Sequence, residues 1–426
     1  IRGEDASAVI NRCLHKIQNT LSRGGVQMTK LFTVEPPIDL EILDERVSSL
    51  GIEKPPCVAM IICHGMGQQV PFETLDAVAT AITEEHLGVG GVAGKIGQRS
   101  VEVVLRFVRP RGSEKLLPRA EITLKQDGQD DQSIHLYEAY WAPLTEGAIS
   151  YTQTAIQLIK AGWAGFKESW ANKFNRWMFG EEKNLPIDHD TGRILFITLL
   201  IAIPLLAFPV VSGFFVKSII DDYKTCSCFH AAVNLNTFSW LGFLVLILFA
   251  SYFIRKFIVQ YMGDVIVYVS SNEVTGFWKI RDEIKQIGLT LAKVVYGAVD
   301  TKCNAISHFL YSKVVVVGHS LGSVVAYDTL NAIINQDQLD KGIRRVVDRT
   351  EAFITLGSPL DKIAFLFRQK AKDALTRDVL AAAYQPMILD YKNRPRWWVN
   401  VFCGMDVISG SLEYYDDPTS AHSEER

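Results

Sequence analysis

Four valines ending in a glycine, Lys313-Val-Val-Val-Val-Gly318, leave this chain little freedom in how its centre folds. An unbroken row of β-branched residues marks a strand buried on both faces, as in a parallel sheet. The row closes in Gly318-His319-Ser320-Leu321-Gly322, and the residues from Leu321 to about Asn335 suit a helix. Strand, Gly-x-Ser-x-Gly and helix in that order describe a sharp turn that lifts a serine hydroxyl above a sheet edge. Gly318 and Gly322 fit such a turn because a Cβ at either place would crowd the neighbouring strand and helix. The helix N-terminus beneath Ser320 brings amide donors and partial positive charge to the place where an oxyanion forms.

Composition bears on what surrounds this unit. With 44 Lys+Arg against 47 Asp+Glu in 426 residues, charge gives no reason to expect a nucleic acid partner. Mean hydropathy is +0.12, and the apolar excess is concentrated in two places. Ile194–Val216 is an uncharged run of 23 residues, long enough to cross a bilayer as a helix. Phe238–Ile254 is a second run of 17, with Arg255 and Lys256 placed to snorkel at its end. Together they predict a transmembrane hairpin. Lys183, Arg193, Arg255 and Lys256 outside it, against Lys217 and Lys224 balanced by Asp221 and Asp222 within the connecting loop, put the bulk of the chain in the cytoplasm. The cysteines outside that loop are scattered singly, as reduced core thiols are.

Along the chain, Pro56–Cys63 reads as a buried strand followed by His64-Gly65-Met66-Gly67. A helix is expected from about Phe72 to His86, with Leu75, Val78, Ala79 and Ile82 on its apolar face. Ser100–Val108 reads as a strand, and Ala120–Lys125 with Ser133–Trp141 as a hairpin. Residues 147–179 are helical in pattern, with Trp163, Trp170 and Trp177 on one face, and Asp264–Val299 is helical again. Phe353–Pro359 and Arg396–Phe402 are the last strands. Strands alternating with helices predict an α/β fold, a mostly parallel sheet flanked by helices. The stretch between the Val101 strand and the serine turn exceeds any ordinary crossover. Residues 147–295 are therefore expected to be a helical, membrane-anchoring insertion that divides one domain into parts 1–146 and 296–426.

A serine nucleophile needs a base to take its proton and a carboxylate to orient that base. In the α/β-hydrolase arrangement, which the strand, Gly-x-Ser-x-Gly and helix resemble, the acid and then the histidine follow the nucleophile in the chain. Of nine histidines only His422 lies downstream; His319 is inside the turn and points the wrong way to act on its neighbour. Asp406, in the turn after the last strand, is the favoured acid, with Asp361 the alternative one strand earlier. His64-Gly65-Met66-Gly67 occupies the place of the second oxyanion donor, so the N–H groups of Met66 and Leu321 form the expected pair.

Ile61–Gly67, Val317–Gly322 and Leu356–Pro359, with Tyr137–Gly147, resemble the α/β-hydrolase superfamily of lipases and esterases over about residues 55–145 and 295–426. The resemblance implies Ser320, Asp406 and His422 as the triad and Met66 and Leu321 as oxyanion donors, with no metal or cofactor. The expected activity is hydrolysis of carboxylic ester or thioester bonds, in lipid or acylated substrates given the predicted anchor. An acyltransferase would use the same residues. A catalytically silent scaffold for lipid or protein would keep the fold alone.

Overall fold

The computed structural model describes residues 33–43, 57–65, 70–87, 99–126, 128–145, 277–302, 305–361, 363, 385–389, 391–403, 406, 409–412 and 415. The chain divides into two compact units, Ile1–Leu144 with Lys279–Arg426, and Thr145–Trp278. The predicted spans 194–216 and 238–254 and the tryptophan-bearing segment lie outside the described residues. Among the described residues no helix is long and apolar enough to cross a membrane.

The first unit is built on an eight-stranded sheet. Its strands are β1 (Thr33–Leu40), β2 (Cys57–Cys63), β3 (Arg99–Pro110), β4 (Leu117–Gln126), β5 (Gln132–Ala139), β8 (Lys313–His319), β9 (Thr350–Leu356) and β10 (Trp397–Val401). The spatial order is β1-β3-β4-β5-β2-β8-β9-β10, and β4 alone runs against the others. A separate hairpin pairs β6 (Val299–Lys302) with β7 (Ala305–Phe309). Helices are α1 (Glu73–Leu87), α2 (Ala142–Thr145), α3 (Phe277–Gly297), α4 (Leu321–Leu339), α5 (Val346–Arg349) and α6 (Pro386–Leu389). The mostly parallel α/β arrangement, the β4–β5 hairpin and the boundaries of β2, α1, β8 and β10 agree with the sequence reading. Strand β1 is not expected from the sequence, because Pro36 and Pro37 remove ladder donors. It survives as the parallel edge strand on β3, with a register shift between Glu35 and Ile38 that leaves both prolines out of the ladder.

Burial explains why the elements hold. Leu75, Val78, Ala79 and Ile82 of α1 pack on Ile62, Leu136, Val317 and Ile354 of the sheet. Burying such a side chain contributes about 1.5–3 kcal/mol each. Helix α4 is covered nearly all round, from Leu321 through Ile334, and so is a core helix behind β8 and β2. Gly288 of α3 lets that helix come close to α4, since a Cβ there would stand 2.1 Å from the Thr329 hydroxyl oxygen.

The order of the strands also locates a crevice. From β2 the chain goes on to β3, β4 and β5 on one side, whereas from β8 it goes on to β9 and β10 on the other. Neighbouring parallel strands whose connections part in opposite directions open a ligand-sized gap at their carboxyl ends. Here that gap lies between Cys63 and Gly318, which pair across the two strands.

Candidate active site

Ser320 stands at this gap, as the N-cap residue of α4, with φ 51° and ψ −127°. Positive φ is unfavourable for a residue with a side chain, by about 1–3 kcal/mol, and is kept only where the surroundings impose it. Three contacts impose it here. The Ser320 N–H donates to Leu356 O at 2.8 Å, and its carbonyl accepts from the Ser323 amide at 3.0 Å and the Ser323 hydroxyl at 2.6 Å. The Ser320 side chain makes no capping hydrogen bond to α4. Leu321, fully buried, is the first residue of the helix, so its amide belongs to the set that a helix N-terminus leaves without an internal acceptor.

The glycines of the turn are fixed by backbone proximity. A Cβ on Gly318 would lie 2.3 Å from Ser323 Cα, and one on Gly322 would lie 2.1 Å from His64 O and 2.3 Å from Cys63 O. The start of α4 thus rides directly on the end of β2, which brings the loop after β2 to the serine. A Cβ on Gly65 would stand 3.2 Å from Ser320 Cβ and 3.0 Å from His319 Nδ1.

His64 is a fixture of that loop. It is fully buried and stacked on the Trp141 indole, with ring centroids 4.7 Å apart and planes 13° from parallel. Its Nε2 accepts the Trp141 N–H at 3.0 Å, so Nδ1 carries the proton and donates to Gly65 O at 2.9 Å. Burial drives this imidazole down to about 4, against the pull of the Gly65 carbonyl and with a smaller push from His319, so it is neutral at pH 7. A neutral, doubly tied ring fixes the Gly65 carbonyl beside the serine turn. His319 is also lowered by burial, while the Asp406 carboxylate pulls it back up, which places His319 and Asp406 within electrostatic reach of each other.

Of the two candidate acids, Asp406 is exposed and sits in the turn after β10, its N–H donating to Cys403 O at 2.8 Å. Its Oδ2 faces Gly357 at the end of β9, 3.9 Å from where a Cβ would stand. Asp361 is buried, and its Oδ2 accepts the Leu412 amide at 2.8 Å. The structure therefore gathers Ser320, Leu321, Gly318, Gly322, His64, Gly65 and Asp406 at one end of β2, β8, β9 and β10. Met66, Gly67 and His422 lie outside the described residues. Burial pushes the Cys57 and Cys63 thiols up to about 12, so neither competes as a nucleophile near neutral pH.

Sequence reasoning passes over Glu138, at the end of β5. It is buried, and its Oε2 accepts the N–H of Phe72, a residue with φ 72°. Burial pushes this carboxyl up to about 7, opposed by the Phe72 amide and reinforced by Glu73. Because the folded pKa is raised, the stability linked to Glu138 is present below the ordinary value near 4.5 and lost as pH rises through about 7. The loss is on the order of 3 kcal/mol. His64 acts in the opposite sense: its contribution is present above about 6.5 and lost as pH falls through about 4. In thermal melts, Glu138→Gln is therefore expected to gain on wild type steadily between pH 5 and pH 8. A Tm difference that does not change with pH would show that Glu138 is ionised throughout.

No curated protein and no solved structure matches the chain. Residues 248–369, which contain β8, the Ser320 turn, α4 and β9, match the family model described as "Putative serine esterase (DUF676)", so this stretch is similar to serine esterases and supports serine hydrolase chemistry.

Proposed function

We propose that the chain is a serine hydrolase of carboxylic ester or thioester bonds, with Ser320 as the nucleophile. The observation that carries this reading is the positive-φ Ser320 backbone at the switch point of the sheet, with a side chain that makes no capping hydrogen bond to the helix it starts. In this mechanism His422 takes the hydroxyl proton as Ser320 Oγ attacks the acyl carbon. Asp406 orients the imidazole and stabilises it once charged. The carbonyl oxygen becomes negative and is held by the Leu321 and Met66 N–H groups. Collapse expels the alcohol or thiol, which leaves with the proton from His422. Water, activated by the same histidine, then releases the acid from Ser320.

The contacts of the two carboxylates favour Asp406 as the acid. Asp406 Oδ2 lies beside Gly357 and its charge reaches His319 of the serine turn, whereas one oxygen of Asp361 holds the Leu412 amide. With a short-chain p-nitrophenyl ester, Asp406→Ala is expected to lower kcat by about 1,000- to 10,000-fold, as loss of the orienting acid does elsewhere. Asp361→Ala is expected to keep kcat within about ten-fold while lowering stability by about 1–3 kcal/mol, because the Leu412 amide loses a buried acceptor. The reverse pattern would make Asp361 the acid.

The substrate class follows from the two apolar runs, 194–216 and 238–254, read as a membrane hairpin with the catalytic unit facing the cytoplasm. A site tethered at a bilayer meets membrane-confined acyl substrates at raised effective concentration. Lysophospholipid in vesicles and a soluble ester of equal chain length separate this reading from a general esterase. Preference for the soluble ester would remove the lipid assignment. Labelling of Cys226 and Cys228 from the side opposite the catalytic unit would support the hairpin, and labelling from the same side would refute it.

A further inference from the structure

Behind the proposed nucleophile lie two fully buried hydroxyls that the reaction above does not use, Ser323 on α4 and Ser358 in the turn after β9. Ser323 Oγ is 2.6 Å from Ser320 O and 2.7 Å from Ser358 Oγ. Ser358 Oγ accepts the Leu360 N–H at 3.3 Å, and Ser358 O accepts the Gly410 N–H at 3.2 Å. A hydroxyl has one proton to give. Ser323 Oγ is within donating distance of two acceptors, Ser358 Oγ and the Ser320 carbonyl that the Ser323 amide also reaches; when its proton goes to the carbonyl, Ser358 donates to Ser323 in turn.

The end of this chain is the part that bears on catalysis. The Ser320 carbonyl and the Leu321 N–H belong to one planar trans peptide, so they point in opposite directions. Drawing the carbonyl oxygen toward Ser323 turns the Leu321 N–H the other way. A hydrogen bond accepted at the carbonyl also polarises the amide and strengthens its donor. We infer that Ser323 and Ser358 are positioning residues that aim the Leu321 N–H at the developing oxyanion and lock the nucleophile turn to the segment bearing the acid. The second half of that role rests on Ser358 O and Gly357: the first holds Gly410, four residues beyond Asp406, and the second faces Asp406 itself. The inference rests on the serine hydrolase reading and deepens it.

A purely structural pair would affect stability alone. A pair that aims an oxyanion donor acts when charge develops, so kcat falls while KM stays. With the soluble ester, Ser323→Ala is expected to lower kcat about ten-fold or more, a smaller effect than outright loss of a donor, with KM within about two-fold. Ser358→Ala is expected to lower kcat less, and the double variant no further than Ser323→Ala, because both act through one hydrogen-bond chain. The fluorophosphonate labelling rate should fall in parallel with kcat. Unchanged kcat in a folded Ser323→Ala, or fully additive effects in the double variant, would overturn the inference while leaving the hydrolase reading intact. Should Ser323→Ala fail to fold, unchanged kcat in Ser358→Ala would overturn it equally. A folded wild type with no turnover and no labelling would overturn both.

Discussion

Ser320→Ala is expected to lower kcat/KM for the p-nitrophenyl ester by about 10,000-fold or more, the usual consequence of removing a serine nucleophile. Stability should hardly change. The Ser320 side chain makes no capping hydrogen bond, and the contacts that hold the turn run through backbone groups at Leu356 and Ser323. Ser320→Gly separates the two properties further. Glycine accepts φ 51° without the penalty that a Cβ carries, so this variant should be as inactive yet melt higher than wild type. Inactivity accompanied by higher stability is the signature of strain kept for chemistry. A Ser320→Ala variant retaining more than about one hundredth of wild-type activity would mean that another group attacks the acyl carbon.

Gly322→Ala is expected to produce the largest loss of stability. Its Cβ would overlap His64 O and Cys63 O, at 2.1 and 2.3 Å, and both are backbone atoms that cannot rotate aside. Relief requires α4 to lift from the end of β2, which opens the gap between the two strands. A cost of about 3 kcal/mol or more is expected, at the upper end for overpacking. Denaturant unfolding would measure it. Gly342→Ala provides the contrast. No atom lies within 4 Å of its would-be Cβ, but φ is +71°, so only backbone strain of about 1–2 kcal/mol applies. Equal, small losses at both positions would show that α4 does not pass so near β2.

The parts of this fold that could be read from the sequence are those whose cause is local. Four valines and a Gly-x-Ser-x-Gly turn define β8, Ser320 and the start of α4 within a dozen residues. The apolar face of α1 and the alternation of β4 and β5 likewise need only neighbours along the chain. What escaped depends on remote partners. Pro36 and Pro37 argue against a strand until β3 offers an edge position. His64 is held by an amide 77 residues away, Glu138 by one 66 residues away, and Ser323 meets Ser358 across 35 residues. In sequence Asp406 is favoured by its place after the last strand, with Asp361 the alternative one strand earlier. Their surroundings differ greatly, because the Leu412 amide returns to one and Gly357 faces the other.

The most direct test is to react detergent-solubilised wild-type protein with a fluorophosphonate probe and map the modified residue by mass spectrometry. A stoichiometric adduct on Ser320, absent from Ser320→Ala and strongly slowed in His422→Ala, is the predicted result. No adduct on a folded wild-type chain, or an adduct on another residue, would contradict the assignment of Ser320 as an activated nucleophile.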